Sequence, residues 1–424
     1  TLPVSVLSLS NRICVGIFFV NSFVLSYEDA ARAVQNQADR LRPSSTEIVP
    51  LLASLDRTLA QPLFADRDQP PFARSTRDGF ACRAADLADL QPLEISGHLR
   101  AGEAWTGPPL KAGHAIEIMT GAPVPDGADC VLMVEHAGVH GDQITPLRSL
   151  HEGENIVPAG AEARSGAMLL EPGTRIEAQH IAVAAACGYE TVSVYARPRV
   201  AILATGDELV PLAQRPLPYQ IRNSNSYSLA AQVTRYGGDP VLFPAVRDTL
   251  EASEAAIRAA LDCDLLILSG GVSMGKYDFV EQALANLNAA FFFTGARIQP
   301  GKPVVFGQLP EQKRYFFGLP GNPVSTLVTF ALFAAPLLAA LAGQKETGPN
   351  FAQACLTQDV EAKPNLTRFL PARLESSAAG ATIQPIPWQG SGDQSAAAKT
   401  NCFLVVPENT AELSAGDLAT FLHL

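Results

Sequence analysis

Residues 200–210 read VAILATGDELV, an apolar run that ends in a glycine and two adjacent carboxylates. Four similar runs, rich in β-branched and aromatic residues, come later in the chain: DPVLF (239–243), DLLILS (264–269), PVVFG (303–307) and RYFFGL (314–319). Helical periodicity between or after them predicts helices at 224–236, 250–262, 279–288 and 324–341. This alternation predicts a mostly parallel sheet covered by helices on both faces, with a ligand site at the carboxyl ends of its strands.

The regions flanking this α/β segment have a different pattern. From 78 to about 164, short apolar runs alternate with turn residues, and the same is true from about 344 to 424, so both regions are predicted to be β structure. The chain before them is predicted to hold a helix at 27–41, with Ser26 as its N-cap, and a second helix at 51–60. The apolar helix at 324–341 is expected to be either deeply buried or at a subunit contact, and to be kinked by Pro336.

Composition excludes several classes of protein. Lys and Arg total 31 against 42 Asp and Glu, a net charge of -11, so the overall field repels polyanions and disfavours nucleic-acid binding. The seven cysteines lie far apart without C-x-x-C spacing, which is typical of a reducing compartment, and we expect a cytoplasmic protein. The apolar stretch at 14–25 is too short to span a membrane. Secretion through a signal peptide with this stretch as its core is the alternative, against which stand the single basic residue before it, Arg12, and the lack of a clear cleavage site after it. We expect no membrane association, and we expect residues 1–25 to be an extension outside the working fold.

Three glycine-containing turns follow predicted strands and carry the candidate chemistry. Glycine lets backbone N–H groups approach a ligand and a helix N-terminus favours an anion, so phosphate or carboxylate is the expected guest. In the third turn, Asn322 is expected to cap the following helix and Gly321 to adopt a left-handed or closely approached backbone. The predicted ligand-binding residues of the three turns are Thr205, Gly206, Asp207, Ser269, Gly270, Gly271, Ser273, Pro320, Gly321, Asn322 and Pro323.

Carboxylates follow the predicted strands as well. Those considered are Asp207, Glu208, Asp248 and Asp278. If several converge, they would supply the hard oxygen ligands that Mg²⁺ prefers when it bridges a protein to substrate phosphates. No histidine pair has metal-ligand spacing, so a zinc or iron site is unsupported.

Other motif assignments are weaker. GVSMG (271–275) fits the G-x-S-x-G nucleophile elbow, but His423 is the only histidine that follows it, which argues against a Ser-His-Asp triad. Neither the dinucleotide pattern G-x-G-x-x-G nor the P-loop pattern fits these glycines.

Six motifs together resemble one family. They are PPFARSTRDGFA (70–81), IMTGAPVP (118–125), ATGDEL (204–209), SGGVSMGKYD (269–278), QPGKP (299–303) and FGLPGNPVS (317–325). Jointly they resemble the molybdopterin molybdenumtransferases, the MoeA family, to which the gephyrin E domain also belongs. The likeness runs from about residue 26 to the C-terminus in consistent order.

The resemblance implies a homodimer of four-domain subunits. The implied domains are a discontinuous elongated domain at 26–70 and 165–197, a small β domain at 71–164, a molybdopterin-binding α/β domain at 198–344, and a C-terminal β-barrel at 345–424. It also implies the reaction. Adenylylated molybdopterin would bind the α/β domain, molybdate would be inserted at the dithiolene sulfurs, and the phosphoanhydride would be hydrolysed with release of AMP.

The resemblance further assigns roles to residues. Glu208, Asp248 and Asp278 would lie beside Lys302 in the α/β domain and hold Mg²⁺. Asp78 and Thr120 would reach the cleft from the β domain of the other subunit. Pro320 and Pro323 would shape the last turn. Together these are the catalytic candidates: Asp78, Thr120, Glu208, Asp248, Asp278 and Lys302.

The chain departs from the family pattern at three positions. Val157 stands where the family often carries an arginine, Glu162 where aspartate is usual, and Gln299 where lysine is frequent. Either the oxyanion is bound more weakly, or another cation replaces the missing ones, for which the candidates are Arg74, Arg77 and Lys276. The sequence leaves these alternatives open, together with the choice between molybdate and tungstate.

Two other functions compete with the transferase. One is the preceding step, adenylylation of molybdopterin, because the α/β domain also resembles the enzyme that catalyses it. That upstream adenylyltransferase is also a candidate partner of this protein. The other is a scaffold of the gephyrin kind. The additional β regions and Asp78-Gly79 favour the transferase, and no long linker of the kind a scaffold would use is visible in the sequence.

Overall fold

The computed structural model describes residues 23–271 and 279–424. The chain forms two compact units, one made of the residues up to Ser44 with Ala196–Leu424, and the other of Ser45–Tyr195. Predictions that concern Ser273, Lys276 and Asp278, and most of the 1–25 segment, fall outside the described residues.

The α/β part of the first unit contains a mixed six-stranded sheet. Its strands lie in the order Asp239–Leu242, Arg199–Ala204, Leu265–Ser269, Arg314–Leu319, Val305–Leu309 and Ala290–Phe293. The first four are parallel and the last two join antiparallel, which confirms a mostly parallel sheet. The antiparallel pairing arises because only a short turn connects Val305–Leu309 to Arg314–Leu319, too few residues for a crossover helix.

Helices flank this sheet, as the periodicity predicts. They are Asn225–Arg235, Leu250–Ala259, Phe279–Asn286, Pro323–Thr329 and Ala335–Leu341, with a π-helical turn at Phe330–Ala334 between the last two. The π turn precedes Pro336, which has no N–H and crowds the preceding turn, so the predicted distortion occurs there. By length and composition Pro323–Leu341 is apolar enough to cross a membrane, but 89% of its most apolar window is buried inside the protein. The prediction of a buried helix is confirmed.

The N-terminal helix, Tyr27–Ala38, packs against the α/β sheet. Ser26 caps it as predicted, because its side chain accepts a hydrogen bond from the Asp29 N–H. Its buried face, which includes Val34, belongs to the same apolar cluster as the sheet. The preceding strand, Val24–Leu25, pairs in parallel with Gly295–Ala296. Residues 24–38 therefore pack within the first unit. The sequence instead suggested an extension up to residue 25, followed by the elongated domain from residue 26. The domain boundaries stay a prediction.

The second unit contains the small β domain. Its six-stranded sheet has the order Cys130–Met133, Gly79–Cys82, His114–Ile118, Leu93–Leu99, Gln143–Pro146 and Ala137–His140. Three two-stranded ribbons accompany it, pairing Thr46–Pro50 with Thr191–Tyr195, Leu63–Phe64 with Met168–Leu170, and Arg74–Ser75 with Ile156–Val157. The remaining helical segments of this unit are the α-helix Ala178–Ala186 and the 3₁₀ turns Leu51–Ser54, Ala84–Leu87 and Val134–His136.

The helix predicted at 51–60 is wrong. Only the 3₁₀ turn Leu51–Ser54 forms, and Asp56 then adopts a φ of 61°, which ends helical backbone. Thr58 and Leu59 make β-bridges instead, to Arg175 and Val194. Tertiary pairing thus takes the backbone hydrogen bonds that a helix would have used.

The C-terminal region forms the predicted barrel. Its strands follow the order Thr367–Ser377, Gly380–Pro385, Phe351–Leu356, Leu418–His423 and Cys402–Val406, and the last also pairs with the first. Ile298–Gln299 extends the sheet beside Thr367–Ser377, and a ribbon joins Val360–Glu361 to Glu412–Leu413. The helix Gln394–Lys399 begins at Asp393, whose side chain accepts the Ala396 N–H. Closure into five strands confirms the β-barrel.

Candidate active site

A cavity of about 1110 Å³ opens at the carboxyl ends of the parallel strands. This is where ligands bind in open α/β sheets. Nine of the predicted ligand-binding residues line it, namely Thr205, Gly206, Ser269, Gly270, Gly271, Pro320, Gly321, Asn322 and Pro323. Glu208 and Asp248 also line it, although 40 residues separate them in the chain. The strand-end turns therefore converge as the sequence predicts.

The first turn places a carboxylate at the cavity. The Thr205 N–H donates to the Ser269 carbonyl at 2.9 Å, and the Gly206 N–H donates to the Val246 carbonyl at 3.1 Å. Gly206 has a φ of +151°, and a Cβ there would lie 2.6 Å from Glu208 Oε2. Glycine is thus required at this position if the Glu208 carboxylate is to keep its place.

Asp207 and Asp248 fix each other across two loops. The Asp207 N–H donates to Asp248 Oδ2 at 3.3 Å, and the Asp248 N–H donates to Asp207 Oδ1 at 3.4 Å. Asp207 is not among the residues that line the cavity, so a contact with ligand stays a prediction for it. The third predicted metal ligand, Asp278, lies outside the described residues. Within residues 23–271 and 279–424, no group of three or more His, Cys, Asp or Glu is arranged to hold a metal ion.

The second turn packs tightly against the first. Gly270 and Gly271 have φ values of +90° and +63°. A Cβ on Gly270 would lie 2.7 Å from the Thr205 carbonyl oxygen, and one on Gly271 would lie 2.7 Å from Thr205 Oγ1. The Gly270 N–H donates to the Leu319 carbonyl at 3.1 Å. The close approach excludes side chains at both glycines and leaves their backbone at the cavity wall.

The third turn differs from its prediction. Gly321 is not among the residues with positive φ, and a Cβ there would meet only Gly270 Cα, at 3.6 Å. The expected left-handed backbone is therefore wrong, and the approach to Gly270 is an ordinary contact. Asn322 does occupy the N-cap position, but its side chain makes no capping bond. Its Nδ2 donates to Ser391 Oγ at 2.8 Å instead.

The C-terminal barrel explains why Asn322 does not cap. The Val324 N–H, one of the free donors of the helix start, donates to the Ser391 carbonyl at 2.9 Å. The Ser391 backbone thus takes over the role of the capping side chain. Gly392 and Gln394, from the same segment, line the cavity, and Gln394 Nε2 donates to Ser224 Oγ at 2.9 Å. Sequence reasoning missed these residues, although the turn GSGD at 390–393 marks the segment as a loop.

A second group missed from the sequence follows the first turn. Leu209–Val210 pairs in parallel with Ile221–Arg222, and the segment between them forms part of the cavity wall. Asn225, the first residue of the next helix, also lines the cavity. Its Nδ2 donates to Ser269 Oγ at 3.0 Å and to the Gly321 carbonyl at 2.7 Å. No pattern in the sequence separates this residue from a surface polar residue at a helix start.

Lys302 and the cations of the second unit have different surroundings. Lys302 is exposed, and the adjacent Pro303 lines the cavity while Lys302 itself does not. Arg74 pairs with Val157 across a ribbon, and its guanidinium lies 2.8 Å from Glu162 Oε1. Arg74 therefore already has a carboxylate partner, whereas the neighbouring Arg77 is exposed.

Asp78 and Thr120 meet within the second unit. The N–H and the hydroxyl of Thr120 both donate to Asp78 Oδ1, at 2.6 and 2.8 Å. These bonds favour the charged carboxylate and lower the pKa of Asp78 below its ordinary value. Thr120 thus orients the Asp78 carboxylate on the surface of the unit.

Comparison with known families matches the whole described architecture. Residues 25–188 match the MoeA N-terminal region (domain I and II), residues 201–340 a probable molybdopterin binding domain, and residues 353–424 the MoeA C-terminal region (domain IV). A protein of Nostoc sp. named molybdopterin molybdenumtransferase is 39% identical over 75% of this chain and 74% of its own length. A Bacillus subtilis protein of the same name is 34% identical over 91% of both chains.

Solved structures agree with these matches. The crystal structure titled molybdopterin biosynthesis moeA protein from Pyrococcus horikoshii OT3 has a TM-score of 0.79 and 27% identity, and covers 95% of this chain and 100% of that one. Most residues that line the cavity lie in the segment that matches the molybdopterin binding domain, while Gly392 and Gln394 lie in the segment that matches domain IV. The matched segments on both sides account for the β domain and the barrel. On these grounds the chain belongs to the MoeA family.

Proposed function

We propose that this protein inserts molybdate into adenylylated molybdopterin and releases AMP, a step in the biosynthesis of the molybdenum cofactor. The observation that carries the proposal is the cavity at the strand ends, where Glu208 and Asp248 lie beside three glycine-containing turns. Relatives named molybdopterin molybdenumtransferase match this chain over 75% and 91% of its length, which supports the same reaction class.

The cavity has the properties that a pterin nucleotide requires. Its volume, about 1110 Å³, is slightly above the usual range for ligand sites and suits a large substrate with two ring systems joined by a phosphoanhydride. Gly270 and Gly271 bring backbone close to the ligand, and the hydroxyls of Thr205 and Ser269 lie at the same turn. Hydroxyl donors of this kind suit phosphate oxygens.

The carboxylates fit a magnesium ion at the phosphoanhydride. Glu208 and Asp248 contribute the oxygen donors that Mg²⁺ prefers, and Asp278 is the proposed third ligand. When bound, the ion would neutralise charge that builds up on the phosphates as the anhydride is cleaved. In this chain the Asp207 N–H orients the Asp248 carboxylate, and Gly206 leaves the room in which the Glu208 carboxylate lies. Lys302 is proposed to add positive charge at the rim.

The proposed working form is a cytoplasmic homodimer. In it, Asp78 and Thr120 of the partner subunit would complete the site, with the Asp78 carboxylate oriented by the two bonds that Thr120 donates. The upstream adenylyltransferase is a proposed partner, because it would supply the adenylylated substrate. Adenylyl transfer and a purely structural role are the alternatives, and no described feature favours either over the transferase.

The direct test is the release of AMP. Purified protein with Mg²⁺ and adenylylated molybdopterin is expected to release AMP only when molybdate is added, and mass spectrometry should find molybdenum in the pterin product. AMP release that ignores molybdate would contradict the proposal. Adenylylation of molybdopterin from ATP would instead identify the preceding step, and the same assay with tungstate measures the choice of oxyanion.

Mixing inactive chains tests the shared site. Glu208→Gln removes one charge and is expected to reduce AMP release roughly 100-fold without unfolding the protein. Asp78→Asn is expected to be inactive as well. If the two residues act across a dimer, random exchange gives half heterodimers with one intact site each, so activity should recover to about a quarter of the parent value. No recovery after demonstrated exchange would place both residues within one chain.

A further inference from the structure

Asn225 is hydrogen-bonded to two of the strand-end turns that line the cavity. It is the first residue of the helix Asn225–Arg235, and its Nδ2 donates to Ser269 Oγ at 3.0 Å and to the Gly321 carbonyl at 2.7 Å. Ser269 and Leu319 are partners in neighbouring parallel strands, so Asn225 spans the two turns that follow those strands. The residues on either side of this helix start are also bonded, because the Ser226 N–H donates to Asn223 Oδ1 at 3.2 Å.

The carbonyl of Gly321 determines which end of the Asn225 amide faces the strands. A carbonyl oxygen only accepts hydrogen bonds, so the atom 2.7 Å from it is the NH₂ group and not the amide oxygen. The same NH₂ group faces Ser269 Oγ, which must therefore act as an acceptor. Both amide hydrogens of Asn225 are used in these two bonds.

This bond leaves the Ser269 hydroxyl with its own proton to donate. A hydroxyl has one hydrogen and two lone pairs, and accepting from Asn225 occupies one lone pair. Ser269 is 2% exposed, and no acceptor for its hydroxyl proton occurs within residues 23–271 and 279–424. Since Ser269 lines the cavity, a ligand oxygen there can accept this proton.

The Thr205 hydroxyl is a second, independent indication that a ligand forms hydrogen bonds at this turn. It is 8% exposed and lines the cavity, and its Oγ1 is buried without a hydrogen-bond partner in the described part of the chain. Leaving a buried hydroxyl unpaired is costly unless a ligand or water satisfies it. Within residues 23–271 and 279–424, two hydroxyls beside the turn at Gly270 and Gly271 thus have unused bonding capacity.

We infer that Asn225 is a positioning residue that turns the Ser269 hydroxyl into a hydrogen-bond donor toward an anionic oxygen of the substrate. The inference rests on the proposed function, and it adds a residue that acts through Ser269 without touching the reacting atoms. The substrate class is a phosphoanhydride-linked pterin, whose phosphate oxygens accept hydrogen bonds from both Ser269 and Thr205. Asn225 should then contribute to substrate affinity more than to turnover.

A double-mutant cycle tests whether Asn225 acts through Ser269. The four proteins are the parent, Asn225→Ala, Ser269→Ala and the double variant, and the probe is adenylylated molybdopterin. Asn225→Ala is expected to weaken binding roughly 10-fold in the parent, with a matching rise in KM and a kcat within about threefold. In the Ser269→Ala background the same change should cost less than about threefold. Equal costs in both backgrounds would overturn the inference.

A pair of aspartate variants supplies the matched control. In Asn225→Asp a carboxylate, which only accepts hydrogen bonds, replaces the NH₂ group that donated. The Ser269 hydroxyl is then expected to donate its proton to this carboxylate and no longer to the substrate. Asn223→Asp adds the same charge two residues earlier on the cavity wall and keeps the oxygen that accepts the Ser226 N–H. Asn225→Asp is expected to weaken binding at least about 10-fold more than Asn223→Asp. Equal weakening would show an effect of charge alone and would overturn the inference.

The outcomes separate the inference from the proposed function. A parent protein that binds no adenylylated molybdopterin contradicts the proposed function, and the inference with it. A parent that binds the probe while the cycle is additive contradicts the inference alone. Thermal unfolding midpoints within about 3 °C of the parent are expected for the single variants, since each substitution changes one polar group at the cavity and leaves the apolar core intact.

Discussion

The turns at 205–206 and 270–271 and the turn at 319–323 look alike in the sequence but are built differently. Gly206, Gly270 and Gly271 all have positive φ, and hypothetical Cβ atoms on them would lie within 2.6 to 2.7 Å of neighbouring atoms. Gly321 does not have positive φ, and a Cβ on it would meet its nearest neighbour at 3.6 Å. The backbone therefore requires glycine at these positions of the first two turns, whereas the third turn has room for a larger residue in place of Gly321.

The difference arises from what lies beside each turn. The first two follow adjacent parallel strands, and the bond from the Thr205 N–H to the Ser269 carbonyl draws their backbones together. The third turn lies against the C-terminal barrel, where Ser391 meets both Asn322 and the Val324 N–H. Close packing of the two turns shapes one region, and hydrogen bonds from Asn322 and Val324 to Ser391 shape the other.

Alanine substitutions at Gly270 and Gly321 should separate the two kinds of turn. Gly270→Ala forces a residue with a Cβ to a φ of +90° and against the Thr205 carbonyl, so a loss of about 1 to 3 kcal/mol of stability is expected. Substrate binding should fall as well, because relief of the clash moves the turn that lines the cavity. Gly321→Ala should stay within about 0.5 kcal/mol of the parent. Urea midpoints and titration with adenylylated molybdopterin measure both effects.

The outcome that breaks this comparison is a similar loss in both variants. It would mean that the third turn is as crowded as the second, against the 3.6 Å spacing at Gly321. A Gly270→Ala protein as stable as its parent would mean that the turn relaxes without cost. Both variants add the same methyl group, so hydrophobicity does not distinguish them.

The sequence predicted the features that depend on local pattern, and it missed those that depend on contacts between distant elements. Periodicity and strand-end position predicted the sheet, its helices and a ligand site at the strand ends, because these depend on local pattern and on the parallel direction of the strands. The family resemblance placed Glu208 and Asp248 in this domain, and both line the cavity. Asn225 and Gln394 were missed, since their roles depend on contacts made across elements. The helix predicted at 51–60 failed for a related reason, because bridges to Arg175 and Val194 take its backbone bonds.

Asn322 and Thr249 provide the finest comparison, with the smallest expected effect. Thr249 is a true side-chain cap, since its Oγ1 accepts the Ala252 N–H at 3.2 Å, whereas Asn322 occupies the same position without a capping bond. Thr249→Ala is expected to cost about 1 kcal/mol of stability. Asn322→Ala removes only the bond to Ser391 and should cost about 0.5 kcal/mol.

The Ser391→Ala background decides between a cap and a contact with the barrel. If Asn322 acts through Ser391, the cost of Asn322→Ala should vanish once the Ser391 hydroxyl is gone, because the two groups are partners in one hydrogen bond. The cost of Thr249→Ala should be unchanged there, since no bond joins it to Ser391. Urea midpoints of the parent, the three single variants and the two double variants with Ser391→Ala measure these differences. A cost of Asn322→Ala that persists without the Ser391 hydroxyl would show that Asn322 stabilises the helix start itself, and the part of the barrel in shaping the third turn would then be limited to the Ser391 carbonyl that accepts the Val324 N–H.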